Sequence, residues 1–166
     1  MIKTYNIYID SNVIVASEIE AEEHYQQSKE FMEYVLASKG TDTTFFTSVF
    51  TFLELASAMI RRTNDKDKAY SLVHRVGRSW KELIKPLPPM PPRKLTSFTR
   101  LVDALIETSI KFRTPSADTI HAQTVAGYEI HYLVTWNKKD FSEMEKQISE
   151  LKVLTPTEML EELRKI

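Results

Sequence analysis

Three acidic residues of this chain each stand as the only formal charge in a long, largely apolar stretch: Asp10 in residues 4–17, Glu54 in residues 43–60 and Asp118 in residues 114–128. Burying an ionised carboxylate is costly unless a cation compensates its charge. No Lys or Arg lies within these stretches, so a bound metal ion is the natural candidate for that compensation. The three acids therefore predict a metal site.

A fourth acid, Asp140, follows the strand-like segment 133–136. Mg²⁺ and Mn²⁺ are hard ions that take oxygen ligands, commonly carboxylates together with water and a substrate phosphate. The chain has no cysteine, which excludes thiolate ligands and disulfides. A metal ion held by carboxylates can activate water and stabilise charge on a phosphate. The acids thus predict a metal-dependent phosphate-ester hydrolase, and favour a ribonuclease, with Asp10, Glu54, Asp118 and Asp140 as catalytic residues and metal ligands.

Three neutral polar residues are secondary candidates for this site: Asn12, Thr135 and Asn137. Asn12 comes two residues after Asp10 and could orient its carboxylate or a water molecule. Asn137 follows a predicted strand and could position a water.

Each acid also has a purely structural interpretation. Asp10 could close a strand in an Asx turn with the two residues that follow it. Glu54 could face solvent, Asp118 could be a favourable charge near a helix start, and Asp140 could simply be exposed in a loop. Their order and context together favour a shared site over four separate structural roles.

Alternating strands and helices predict an α/β fold around a parallel sheet. The predicted strands are 2–9, 43–46, 130–134 and 153–154. The predicted helices are 13–16, 20–38, 49–62, 66–84, 94–112, 115–126 and one that opens at Pro156. Because the carboxyl ends of parallel strands share one edge, the residues after strands 2–9 and 130–134 should meet there, beside acids carried on helices.

Local signals set several of these boundaries. Ser48 is predicted to cap the helix 49–62, and Thr114 to cap a helix with Pro115 at its first position. Residues 86–92 hold five of the seven prolines, which predicts an extended loop that is neither helix nor central strand. A stiff connector is favoured for this loop over a partner-recognition segment.

The bulk composition fits one domain over residues 1–166. No apolar run approaches the roughly 20 residues of a membrane span, and the N-terminus has no signal-peptide pattern, so a cytoplasmic protein is expected. Charge is uneven: residues 61–113 hold 13 basic and 5 acidic side chains, a net charge of +8, against a total of −1. This segment suits attraction of a polyanion, or it is merely the solvated face of its helices.

The motifs resemble those of the PIN-domain nucleases, especially the VapC-type toxins of bacterial toxin–antitoxin pairs. The segments that carry the resemblance are, in chain order, Tyr8-Ile9-Asp10-Ser11-Asn12-Val13, Phe52-Leu53-Glu54-Leu55-Ala56, residues 116–122, residues 133–137 with Asp140-Phe141, and residues 153–158. Each motif alone is weakly specific, whereas five in the right order over nearly the whole chain are fairly specific.

The resemblance implies a three-layer sandwich with a central parallel sheet, Mg²⁺ or Mn²⁺ in an acidic pocket, and endonucleolytic cleavage of RNA. Asp10, Glu54 and Asp118 match the family's three main acids. Many members carry an Asp where this chain has Asn137, so either Asn137 or Asp140 takes the fourth position. A cognate antitoxin and a homodimer, formed through apolar stripes in residues 49–84, are further implications.

Other residues are assigned more weakly. His121 shares the helix face of Asp118 and could be a base or a ligand, but a packed structural role is favoured and it is left outside the predicted site. Trp136 could stack a base or pack in the core. The candidates for phosphate contacts are Arg61, Arg62, Arg75 and Arg78.

Two other functional classes compete with the nuclease. One is a PIN-like module that binds RNA or a partner protein without cutting. The other is an aspartyl-phosphate phosphohydrolase, which is disfavoured because Asn12 stands where such enzymes have a second Asp.

Overall fold

Five parallel strands form the centre of the structure, a computed structural model that describes residues 4–38, 42–80 and 82–165. In chain order they are β1 (Tyr5–Ile9), β2 (Thr43–Ser48), β3 (Ile84–Leu87), β4 (Tyr132–Val134) and β5 (Lys152–Leu154). Their spatial order is β3-β2-β1-β4-β5, with every neighbouring pair parallel. The central strand β1 is covered on both faces, which explains its run of apolar residues.

Helices cover both faces of this sheet. They are α1 (Ser11–Glu18), α2 (Tyr25–Ala37), α3 (Thr51–Thr63), α4 (Lys66–Trp80), α5 (Phe98–Phe112), α6 (Thr119–Gly127), α7 (Ser142–Gln147) and α8 (Pro156–Leu163). Short 3₁₀ turns occur at Pro92–Lys94 and Lys138–Phe141.

Successive residues of β1 face two separate hydrophobic cores, as the alternation of a strand requires. Ile7 and Ile9 pack in a core with residues of α1–α4 and α8. Tyr8 packs in the other core with residues of α5, α6 and α7. Two helical layers therefore enclose one sheet, and the predicted three-layer α/β sandwich with a central parallel sheet is confirmed.

The region around residue 84 differs from its prediction. The helix predicted over 66–84 ends at Trp80, and Ile84 begins β3. The loop predicted from Pro86 was wrong for Pro86 and Leu87, which pair with β2. β3 is an edge strand, where a proline without an N–H group is tolerated because one side of the strand has no partner.

Three helices begin later than predicted: α2 at Tyr25 instead of residue 20, α5 at Phe98 instead of residue 94, and α6 at Thr119 instead of residue 115. Ser97 caps α5, because its hydroxyl accepts a hydrogen bond from the Arg100 N–H at 3.1 Å. Thr114 and Pro115 precede a turn that leads to Asp118, which holds the N-cap position of α6. The acid therefore lies at the very start of its helix.

Other boundaries differ by a few residues. Ser48 ends β2, and its hydroxyl accepts a hydrogen bond from the Phe50 N–H at 3.1 Å, whereas α3 begins only at Thr51. Residues 2 and 3 of the first predicted strand lie outside the described residues. Within the described part of the chain, no helix is both long enough and apolar enough to cross a membrane.

Candidate metal centre

The carboxyl ends of β1 and β4 bring together two residues from distant parts of the chain. Asp10 directly follows β1, and Thr135 directly follows β4. The two strands pair with Ile9 opposite Val134, and the Asp10 N–H donates to the Val134 carbonyl at 3.0 Å. The predicted meeting of residues 10 and 135 at one edge of the sheet is therefore observed.

The Thr135 hydroxyl is the hub of a hydrogen-bond network around Asp10. It donates to Asp10 Oδ2 at 2.7 Å, and it accepts from Asn12 Nδ2 and from the Asn137 N–H, both at 3.0 Å. One donor and two acceptor positions are all that a hydroxyl offers, so this group is fully used. Asp10 is 1% exposed, and the network fixes the direction of its carboxylate.

Replacing Thr135 by Val should destabilise the protein by about 1–3 kcal/mol, because the isosteric side chain leaves the buried Asp10 oxygen and the Asn12 amide without a partner. Thr135→Ser keeps the hydroxyl and should lose much less. Urea unfolding followed by circular dichroism measures both variants. Equal stability of Thr135→Val and Thr135→Ser would show that the hydroxyl does not hold this network together.

His121 lies between two of the predicted acids. Its Nε2 atom is 3.0 Å from Glu54 Oε2, and its Nδ1 atom is 3.6 Å from Asp10 Oδ1. The Tyr8 hydroxyl is 2.7 Å from Nδ1, and the imidazole is 1% exposed. His121, which the sequence prediction keeps outside the site, is packed in the interior as expected and also joins Asp10 to Glu54.

Charge on the two carboxylates makes His121 a cation near neutral pH. Burial alone would lower the pKa of His121, but Asp10 and the hydrogen bond to Glu54 outweigh it and raise the pKa to about 8. Burial would raise the pKa of Glu54, yet the contact with His121 lowers it overall. Tyr8 stays neutral because burial and the nearby carboxylates raise its pKa well above 10. His121 thus supplies positive charge beside Asp10 and Glu54, a role that the sequence predicts for a metal ion.

The negative charges of the other acids repel the ionised carboxylate of Asp118. Burial, followed by the charges of Asp10, Asp140 and Glu54, raises the pKa of Asp118 to about 6, against a smaller opposing effect of His121. All four predicted acids therefore belong to one electrostatic cluster. A carboxylate whose pKa is raised by its neighbours is a frequent property of functional sites.

Asp140 and Asn137 occupy different positions in this cluster. Asp140 is half-buried in the turn Lys138–Phe141, where its N–H donates to the Asn137 carbonyl at 3.0 Å. Lys138 pairs with Glu158 at 2.8 Å and ties the turn to α8. Asn137 is exposed, and its backbone N–H donates the hydrogen bond to the Thr135 hydroxyl. Of the two, Asp140 is the one whose charge acts on Asp118.

The acidic side chains have the oxygen atoms that a divalent ion prefers, but they are not spaced as the ligands of one ion. Among the described residues, no three His, Asp or Glu side chains lie closely enough together to hold a metal ion. Glu54 is engaged by His121, and Asp10 by Thr135. Nevertheless, the acids supply the oxygen donors that Mg²⁺ and Mn²⁺ prefer, and a divalent ion would relieve the repulsion that raises the pKa of Asp118.

Two of the four arginines predicted to contact phosphate have acidic neighbours. Arg62 pairs with Glu22 and Arg75 pairs with Glu18, each at 2.9 Å. Exposed pairs of this kind contribute little free energy, so they would open readily for a competing phosphate.

Comparisons with known proteins bear on the fold. No protein-family model matches the chain. The comparison with curated proteins finds no match. Among solved structures, the chain is similar to a chain of VapBC-1 from nontypeable Haemophilus influenzae, determined at 2.2 Å resolution, with a TM-score of 0.57 and 14% identity over 92% of this chain and 98% of that one. A likeness at this identity concerns the fold, and it supports the predicted three-layer α/β sandwich.

Proposed function

We propose that this protein is a metal-dependent endoribonuclease and the toxin component of a VapC-like toxin–antitoxin pair. The observation that carries the proposal is that Asp10, which follows β1, and Glu54 on α3 both lie against His121, while burial and the charges of Asp10, Asp140 and Glu54 raise the pKa of Asp118. The motif resemblance and the likeness to the VapBC-1 chain support the same assignment.

In this proposal Asp10, Glu54, Asp118 and Asp140 hold Mg²⁺ or Mn²⁺. The ion would activate water for attack on a phosphodiester and stabilise the charge that develops on the phosphate. Thr135 fixes the direction of the Asp10 carboxylate, and His121 holds Glu54 in place.

The partners follow from the same assignment. RNA is the proposed substrate, and a cognate antitoxin is proposed to cover the acid cluster with one of its segments. A cytoplasmic homodimer is proposed as well, and exposed apolar side chains suit the dimer: Leu53 on α3 is 63% exposed, and Phe98 and Ile110 on α5 are 80% and 73% exposed. Because α5 packs in the other hydrophobic core from α3, Phe98 and Ile110 mark a second apolar surface outside the predicted range 49–84.

Incubation of the purified protein with a mixed set of structured RNAs tests the nuclease. Cleavage is expected with Mg²⁺ or Mn²⁺ and should stop in EDTA and in an Asp10→Ala variant. Cleavage that persists in EDTA would contradict metal dependence.

A module that binds RNA without cutting is the second candidate. It is favoured by the position of His121, which compensates Asp10 and Glu54 with no metal ion required. Retention of RNA by well-folded protein, with no product in either metal, would select this function.

The fourth acidic position gives a matched pair of variants. Because the charge of Asp140 acts on Asp118 and Asn137 is exposed, Asp140→Asn should lower the cleavage rate by about 10–100-fold, the usual effect of disturbing a metal environment. Asn137→Ala should lower it less than threefold. Gel-based initial rates at saturating Mg²⁺ compare the two, and the reverse order would assign the fourth position to Asn137.

A further inference from the structure

We infer that the stacked rings of His24 and Trp136 form a platform for one unpaired nucleobase, beside the acid cluster. The inference rests on the proposed function, because it concerns the nucleic acid whose phosphate would lie at that cluster. The platform would bind the base of a nucleotide whose phosphate lies at the acid cluster.

The inner ring of this aromatic platform is held from several directions. The ring centroids of His24 and Trp136 are 4.0 Å apart, with 17° between the ring planes. The indole N–H donates to the Ser28 hydroxyl at 2.8 Å, and the Trp136 N–H donates to Asn12 Oδ1 at 3.3 Å. Trp136 also packs against the larger hydrophobic core, so its orientation is set by the fold.

The outer ring belongs to a residue in an unusual backbone conformation. His24 has φ 65° and ψ 15°, in the left-handed region, immediately before α2. Non-glycine residues in this region cost about 1 kcal/mol or more, although His is among the types found there more often. Its side chain is 38% exposed although the indole stacks on one ring face, and its Nε2 atom is 3.8 Å from Oε1 of the exposed Glu23. The exposed part of the ring is the surface on which a base would stack.

The platform is directly connected to the acid cluster. Trp136 follows Thr135, whose hydroxyl donates to Asp10 Oδ2 at 2.7 Å, and Asn12 contacts both residues. A nucleotide with its phosphate at the acids would carry its base past these rings. Stacking on an aromatic face accepts any base and requires that the base be unpaired, so the expected ligand is a single-stranded segment or a loop.

The test uses a tetranucleotide of three adenosines and one 2-aminopurine, whose fluorescence is quenched by stacking. Binding is measured on the wild-type protein with Ca²⁺ in place of Mg²⁺, so that a divalent ion can remain at the acids, and a gel checks that the oligonucleotide stays intact. Adding His24→Asn, which tolerates the same backbone conformation, should raise the Kd at least about fivefold and abolish the quenching. Adding His24→Phe, which keeps a flat ring, should preserve both.

His74→Asn is the control, because His74 also lies against an aromatic ring, that of Tyr70, with centroids 4.4 Å apart and 56° between the planes, but on the exposed face of α4. Its Kd should equal that of the parent. Unchanged binding in His24→Asn, equal loss in His74→Asn, or no quenching in the parent would each overturn the platform. A parallel cleavage assay on wild-type protein separates the two claims: cleavage without His24-dependent quenching refutes the platform alone, and His24-dependent quenching without cleavage refutes the nuclease alone.

Discussion

Asp118→Asn is expected to lower RNA cleavage by more than about 100-fold and, at the same time, to stabilise the metal-free protein. Loss of activity follows because an amide is a neutral and weaker ligand than a carboxylate, and because disturbing even the groups that surround a metal typically costs 10–100-fold. Stabilisation follows because the pKa of Asp118 is raised to about 6, so its ionised form is unfavourable in the folded state.

The stabilisation by Asp118→Asn should depend on pH. A carboxyl group with a folded-state pKa of about 6 and an ordinary value of 3.8 costs stability as pH rises from 3.8 to 6, and the cost stays constant above. After allowance for solvent screening, Asp118→Asn should gain roughly 1–2 kcal/mol at pH 7.5 and nothing near pH 3.5. Urea unfolding in EDTA at the two pH values gives this comparison. A variant that is destabilised at pH 7.5 would contradict the crowding of acids around Asp118.

His121→Leu is expected to reduce the free energy of unfolding by about 3 kcal/mol at pH 6. Removing the cation leaves the buried Asp10 carboxylate uncompensated, and breaking a buried pair from one side typically costs 3–5 kcal/mol. The loss should lie at the lower end of this range because the Glu54 side chain is 38% exposed and can be hydrated. His121→Gln can still donate one hydrogen bond to Glu54 and should recover part of the loss.

The cost of His121→Leu should shrink in alkaline solution. The pKa of His121 is raised from 6.5 to about 8, so its charge stabilises the folded state fully below pH 6.5 and ceases to do so as pH rises through 8. That difference corresponds to about 2 kcal/mol. Unfolding of wild-type and His121→Leu protein in EDTA at pH 6 and pH 9 measures it. A difference between the two proteins that does not change with pH would mean that His121 is neutral throughout.

The position of three site residues was predictable because it depends only on strand ends. Asp10, Asn137 and Asp140 follow strands that are recognisable from their apolar runs, and parallel strands bring their carboxyl ends to one edge. Glu54 and Asp118 required the further assumption that isolated charges in apolar helices face a shared site. Their electrostatic interaction agrees with that assumption.

The role of His121 could not be read from local sequence. Its spacing from Asp118 places both on one face of a helix, and that was the only available signal. Its partners, Asp10 and Glu54, are 111 and 67 residues away along the chain, and only the folded structure brings them to the two nitrogens of its ring. The charges that neighbour a buried acid in the sequence do not show whether a side chain from a distant part of the chain compensates it.

The predicted first residues of two helices were wrong for a related reason. The apolar periodicity of residues 20–38 extends through His24, but a left-handed residue there delays α2 to Tyr25. Similarly, Pro115 suits a first helical position, yet the chain makes one more turn before α6. Periodicity reports which residues face the core and does not report where the backbone first becomes helical.

Binding of Mn²⁺ to the purified protein, measured by isothermal titration calorimetry, tests most directly whether the acid cluster is a metal site. Saturable binding is expected in the wild-type protein and should be lost in Asp10→Ala and Asp118→Asn, with Asn137→Ala close to wild type. Absence of saturable binding by folded wild-type protein, or binding by the Asp10→Ala and Asp118→Asn variants equal to that of the wild type, would contradict a metal site and leave His121 as the counter-charge of Asp10 and Glu54.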